Sequence, residues 1–193
     1  MKEKKNMNVI EAITTRRSVR AYTDELIDRD TLVELVRLGT LAASGSNMQP
    51  WGFVILQGKD LIAQHDKVLK ADLLTNLEKY PHLQQYRGGL ENPRFSPLNN
   101  ASNMILIYGC PKSHYYKIDC TLAAANIMFA GREIGIENCW VGFGEYYFNS
   151  PAFKTDLGVP EDYDLVCAMT IGYPAKPIKQ GPTRKEPIIF NLD

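Results

Sequence analysis

Hydrophobic positions recur along this chain with two different periods, and the places where the period changes mark out its elements. Asn8, followed three residues later by Glu11, forms a capping pair, and Val9, Ile10 and Ile13 then predict a short helix. Asp28 starts a second helix, in which Leu32, Leu35, Val36, Gly39 and Ala43 repeat at helical spacing and share one face. Ser44-Gly45-Ser46 ends it. From Trp51 to Leu56 the chain is continuously apolar and bounded by Pro50 and Gly58, which predicts a buried strand. An amphipathic helix over 60–77 follows, with Leu61, Ile62, Val68, Leu69, Leu73, Leu74 and Leu77 as its apolar set.

The stretch 78–100 mixes Pro, Gly, Asn and aromatic residues without clear periodicity. A loop this long is usually functional or mobile, so it is expected to act as a lid or to lie near the substrate. Met104 to Tyr108 reads as a second strand. Residues 119–134 are alanine-rich and nearly apolar all round, which predicts the central buried helix. Glu137 to Gly144 should be a strand running into a glycine-rich loop. Ser150-Pro151 supplies an N-cap and a proline at the first helical position, for a short helix stopping near Gly158. Leu165 to Ile171 is a third clear strand, closed by Gly172-Tyr173-Pro174. The extension over 175–193 is basic and proline-punctuated, yet it ends in Pro187-Ile188-Ile189-Phe190, too apolar for a pure linker.

At 193 residues, the simplest organisation is one domain, with residues 1–7 as a charged tail ahead of the first helix. Apolar content of 45% and charged content of 23% suit a soluble globular protein. Acidic and basic residues balance at 22 each, which favours neither nucleic acid nor an anionic membrane as a partner. No apolar run could span a bilayer, and no apolar signal core follows the charged N-terminus. Cys110, Cys120, Cys139 and Cys167 have no close-spaced pair, so reduced thiols in a cytoplasm are expected. Cys110, His114 and Cys120 do not have zinc-motif spacing, and no metal is expected. His65 and His82 read as solvated surface.

Against this even charge background, Thr15-Arg16-Arg17-Ser18-Val19-Arg20 concentrates three guanidinium groups within five residues. In an extended segment Arg16, Ser18 and Arg20 would share one side, with Arg17 and Val19 on the other. Guanidinium forks suit phosphate and carbonyl-rich heterocycles, and a serine hydroxyl adds a short neutral donor. The alternative is a solvated basic turn. One helix further on comes Ser44-Gly45-Ser46-Asn47-Met48-Gln49-Pro50-Trp51, with two neutral amide side chains beside a glycine. Gly142-Phe143-Gly144 lacks the third glycine of a dinucleotide fingerprint, so nicotinamide would bind without a separate Rossmann site.

These stretches, in this order and spacing, resemble the nitroreductase family of FMN-dependent oxidoreductases. The resemblance continues through Asp119-Cys120, Ala123-Ala124-Ala125-Asn126, Gly135-Ile136-Glu137-Asn138-Cys139-Trp140-Val141-Gly142 and Ile171-Gly172-Tyr173-Pro174. It implies an α+β domain of the nitroreductase fold, with a central mixed or antiparallel sheet flanked by helices and the C-terminal tail exchanged onto a homodimer partner. The implied function is hydride transfer from NAD(P)H through FMN to an electron-poor acceptor such as a nitroaromatic, a quinone or a flavin, by a ping-pong mechanism without a protein nucleophile. It places Arg16, Arg17, Ser18 and Arg20 on the flavin, with Arg20 near the N1 and O2 edge. Ser44, Gly45, Asn47 and Gln49 would reach it from the second subunit. The Val141-Gly142-Phe143 backbone would offer an N–H near N5, and Arg184 or Lys185 would meet the phosphate. Ala43 departs from the proline that often precedes that serine. Two other readings stay open: a protein that binds or senses FMN without turnover, and an enzyme of the same fold that removes halogen or destroys flavin. Asp119 reads as a charge stabilising the N-terminus of the central helix.

Overall fold

The computed structural model describes residues 7–178 and 181–190; residues 1–6, most of the expected charged tail, and the last three residues of the extension lie outside them. Four strands form one sheet: β1 (Trp51–Gln57), β2 (Asn103–Gly109), β3 (Glu137–Trp140) and β4 (Asp164–Gly172). Their spatial order is β1-β2-β4-β3, and every adjacent pair is antiparallel. Three helices carry most of the packing: α2 (Arg29–Gly39), α3 (Lys59–Thr75) and α5 (Tyr116–Glu133), with the short α1 (Val9–Thr15), α4 (Arg87–Glu91), α6 (Glu145–Phe148) and α7 (Pro151–Asp156) around them.

β2 explains why the sheet sits where it does. All seven of its residues are buried, and they alternate between two hydrophobic clusters. Met104, Leu106 and Tyr108 pack with Ile62, Leu69 and Leu73 of α3, while Ile105 and Ile107 pack with Leu32 and Leu35 of α2 and with Ala124 and Ile127 of α5. That is the two-residue period of a strand covered by helices on both faces. α2 lies tightly on α5 because Gly39 has no side chain: a Cβ there would come within 2.8 Å of Ile127.

Several expectations are corrected. β1 is an edge strand, half-buried except at Leu56, because one of its sides has no neighbouring strand. α2 stops at Gly39 and does not reach Ala43, which is exposed; Thr40 caps it and a turn follows. α5 starts a turn earlier than expected and buries only one face, leaving Ile118 and Leu122 exposed. The apolar positions of α1 face outward too: Val9, Ile10 and Ile13 are exposed and Ala12 is the buried residue.

The stretch 78–100 is no irregular loop. It is built of 3₁₀ turns over Leu77–Lys79 and Pro81–Tyr86 followed by α4, pinned by the buried Leu77, Leu83, Leu90 and Leu98. Apolar anchors spaced this way show neither a helical nor a strand period, which is why the pattern is silent. His65 is a further correction. It is half-buried beside Phe148 and Phe153, with Nδ1 2.9 Å from the Tyr147 hydroxyl, and burial pushes its pKa below the ordinary imidazole value.

Candidate functional site

α1 ends at Thr15, and the chain leaves it extended along the outer edge of β3. The Val19 N–H donates to the Asn138 carbonyl at 3.0 Å, and Ser18 bridges Asn138 in the parallel sense. Beneath this segment the Arg132 guanidinium donates to Glu137 at 2.5 Å and to the Thr15 hydroxyl at 3.1 Å. Burial pushes the Glu137 carboxyl above the ordinary carboxylate range, opposed by Arg132 and then by the charge of Arg16. The basic segment is therefore a docked strand, which excludes a freely solvated turn.

The arginines diverge in what they do. Arg17 turns back to donate to the carbonyls of Thr14 at 2.9 Å and Arg16 at 2.6 Å. Gly181 of the C-terminal extension lies directly on the Arg17 guanidinium, where any side chain would collide. Arg16 is half-buried, whereas Ser18 and Arg20 are exposed. Among the described residues Arg20 reaches only the Ser18 carbonyl, at 3.5 Å, and it lines a cavity of about 580 Å³.

That cavity joins Arg20 to the segment Cys139–Phe143, and Tyr86, Phe95 and Asn99 close it from the capping stretch. The rings are edge-on: Phe143 lies 5.3 Å from Tyr86 and 6.0 Å from Phe95 between centroids. A second cavity, about 310 Å³, shares Trp140, Val141, Gly142 and Glu145 with the first and adds Lys117 and Thr121 of α5. Trp140–Gly142 is thus a ridge between two hollows. The Val141 N–H donates to the Ala168 carbonyl at 2.8 Å, so the sheet consumes that amide. The next two amides, Gly142 and Phe143, open the 3₁₀ turn Gly142–Gly144, where the first N–H groups have no intrahelical acceptor. A Cβ on Gly142 would meet nothing within 4 Å, so the backbone there is open to approach.

Sequence reasoning missed the polar support under this cavity. The Tyr22 hydroxyl donates to the Val19 carbonyl at 2.6 Å and lies 3.1 Å from Thr170 Oγ1, to which Asn99 Nδ2 also donates at 3.1 Å. Burial holds the Tyr22 hydroxyl far above the ordinary phenol range, so it stays a neutral donor. Asn99 and Asn100 both have positive φ, 60° and 48°. Asparagine tolerates that conformation better than most residues, and the Asn-Asn pair was the available signal.

The second predicted stretch lies elsewhere. Ser44, Gly45, Asn47 and Gln49 line neither cavity. They form a turn at the head of α5: the Gly45 N–H donates to Asp119 Oδ1 at 3.1 Å, the Gln49 N–H to Ser44 Oγ at 3.1 Å, and Gln49 Nε2 to Asn47 Oδ1 at 3.1 Å. Arg184 and Lys185 are exposed and line neither cavity. Within one chain, the candidate residues therefore fall into one group, the docked strand whose Arg20 meets Val141 and Gly142 while Arg16, Arg17 and Ser18 line neither cavity, and two separate ones. Among the described residues no three His, Cys, Asp or Glu side chains converge as a metal site, and no helix is long and apolar enough to cross a membrane.

The nitroreductase family's sequence model matches residues 13–173, a span that includes the docked arginine strand, the cavity ridge and the turn. The chain belongs to the nitroreductase family. Among curated proteins, a 4-nitrobenzoate reductase of Pseudomonas putida is 26% identical, covering 83% of this chain and 83% of the relative. An iodotyrosine deiodinase of Nematostella vectensis is also 26% identical, over 90% of this chain and 70% of the relative. Among solved structures, an FMN-bound nitroreductase of Desulfitobacterium hafniense superimposes with a TM-score of 0.78 at 23% identity, covering 95% of this chain and 98% of the other. The α+β nitroreductase fold is shared across that whole length.

Proposed function

We propose that this protein is an FMN-dependent oxidoreductase taking electrons from NAD(P)H and passing them to an electron-poor small molecule by a ping-pong sequence. The observation that carries the reading is the cavity in which Arg20 faces the open backbone at Gly142. A flavin needs cations for its phosphate, donors at its pyrimidine end and one uncovered face, and these residues fit that need. Arg16 and Ser18 would hold the phosphate side, and Arg20 the N1 and O2 edge, where positive charge favours the reduced, anionic ring. Gly142 or Phe143, not Val141, would offer the amide near N5, since Ala168 takes the Val141 donor. Arg17 would act by holding the extension at Gly181. When bound, FMN supplies reversible hydride chemistry, so no protein nucleophile is required.

The reading includes a homodimer of one nitroreductase domain per chain. Its support is what a single chain leaves unfinished: the turn bearing Ser44, Gly45, Asn47 and Gln49, the cations Arg184 and Lys185, and the apolar surface of α1 and α5, all exposed or apart from the cavity. A second subunit would cover that apolar surface and bring the turn and the extension to the other chain's flavin. The apolar tip, with Ile188 and Phe190 exposed at 83% and 84%, suits a segment that docks on a partner. A cytoplasmic protein that binds neither nucleic acid nor membrane completes the picture.

Anaerobic stopped-flow mixing of FMN-loaded protein with NADH or NADPH tests the reading through loss of oxidised-flavin absorbance. Rapid bleaching is expected; flavin that stays oxidised with both nucleotides rejects NAD(P)H as the donor. A second reading, reductive removal of halogen from an aromatic, is favoured by the aromatic cap of Tyr86, Phe95 and Phe143 and by the similarity to the deiodinase. It is supported if chemically reduced enzyme dehalogenates a halophenol while NAD(P)H fails to bleach the flavin.

A further inference from the structure

The turn over 44–49 holds Ser46 and Gln49 in a conformation their side chains do not favour, with Asn47 in one that asparagine tolerates. Ser46, Asn47 and Gln49 have φ values of 49°, 54° and 46°, in the left-handed region that suits glycine. Such backbone persists only where its surroundings over-determine it. The hydrogen bonds inside the turn, Ser44 with Asn47 and Gln49 and Gly45 with Met48, set its shape but do not attach it to the rest of the molecule. Among the described residues, one hydrogen bond joins 44–49 to another element: the Gly45 N–H to Asp119 Oδ1.

Asp119 sits in the first turn of α5, 3% exposed, with its second carboxylate oxygen buried and unpartnered. If packing alone were at stake, an apolar side chain would be the more stable occupant, because a buried acceptor without a donor carries a desolvation cost. A carboxylate at a helix N-terminus is tolerated by the local dipole, and it accepts an amide hydrogen bond more strongly than a neutral oxygen does. The Tyr115 ring closes the other side of Gly45, where a Cβ would fall 2.7 Å from it. The turn is therefore clamped at one residue, between a ring and a carboxylate that belong to the same helix end.

We propose that Asp119 is a positioning residue for the cofactor: it holds the turn in the strained form in which Ser44, Gly45, Asn47 and Gln49 complete the flavin site. This rests on the FMN reading given above. The charge-stabilising role expected for Asp119 at its helix is thereby joined to a second task on the neighbouring turn.

The test is titration of apo-protein into FMN, followed by quenching of flavin fluorescence, for the wild type, Asp119→Ala and Asp119→Asn, with the fold of each apo-protein checked by far-UV circular dichroism and thermal unfolding. Asp119→Asn keeps an oxygen that can accept from Gly45 but loses the charge. Affinity at least tenfold weaker in Asp119→Ala, with partial recovery in Asp119→Asn, is the expected order. Asp119→Ala within twofold of the wild type overturns the proposal, as does Asp119→Asn no better than alanine, because the Gly45 acceptor would then be irrelevant. If the alanine variant does not fold, Asp119→Leu, which fills the space but offers Gly45 no acceptor, takes its place under the same limits: at least tenfold weaker binding with recovery in Asp119→Asn supports the role, and binding within twofold of the wild type rejects it. A wild type that leaves FMN fluorescence unquenched fails at the level of the cofactor reading and takes this one with it.

Discussion

β2 and the turn over 44–49 use their backbones in opposite ways. In β2 every residue is buried, each neighbour is an antiparallel strand and the side chains from Met104 to Tyr108 alternate between two clusters. The turn has three non-glycine residues at positive φ, exposes Ser46, Asn47, Met48 and Gln49, and among the described residues is attached through one hydrogen bond, to Asp119. The first region is satisfied by its own chain. The second keeps its positive-φ residues exposed and is held at Gly45 by Tyr115 and Asp119, and such backbone collects where a ligand or a partner must be met. The difference separates residues that make the fold from residues the fold carries for something else.

If that separation holds, damage to the two regions should read out in different quantities. The largest effect is expected for Leu106→Ala, at a fully buried position between α3 and the sheet. It should cost about 2–5 kcal/mol of unfolding free energy, seen as a lower urea midpoint with little change in slope, while folded protein still binds FMN normally. Loss of FMN affinity in proportion to stability would break the comparison. Arg20→Ala should do the reverse: its side chain makes one long contact within the chain, so stability stays within about 0.5 kcal/mol while FMN binds roughly tenfold more weakly and the flavin potential falls. Unchanged affinity and potential would remove Arg20 from the flavin edge.

The smallest effect sharpens the picture most. Ser46→Gly places at φ 49° the residue that conformation suits, so the apo-protein should gain up to about 1 kcal/mol by thermal unfolding. FMN affinity should not rise with it, since a freer turn is a less prepared one. A stability loss would mean that the serine side chain, and not its backbone, sets the turn.

The candidate site was legible in proportion to how local its chemistry is. Arg16, Ser18, Arg20 and the Gly142 backbone stand out because cations and small residues cluster within a few positions. Tyr22, Asn99 and Thr170 did not, since they meet across 71 and 148 residues of separation and each alone reads as ordinary loop or strand. Which amide of Val141-Gly142-Phe143 stays free was open in the sequence, because the sheet's use of the Val141 N–H is a matter of register that no side chain announces. Asp119 was read as a helix-end charge because its partner, Gly45, is 74 residues away.

What the sequence determined by itself was periodicity and capping: four strands, the principal helices, and the starts of α1, α2 and α7 at Asn8, Asp28 and Ser150 follow from hydrophobic spacing and from side chains that bond amides three residues away. Those are short-range effects, and every part of them is written within one turn of chain. Only the tertiary structure decided that β1 is an edge, that 78–100 is an anchored cap and that Arg17 turns back onto the carbonyls of Thr14 and Arg16. It also decided that the residues predicted for one site lie in three places on the monomer. Each of these depends on which distant surfaces meet, and that is set by burying both faces of β2 together, a condition on the whole chain and on no segment of it.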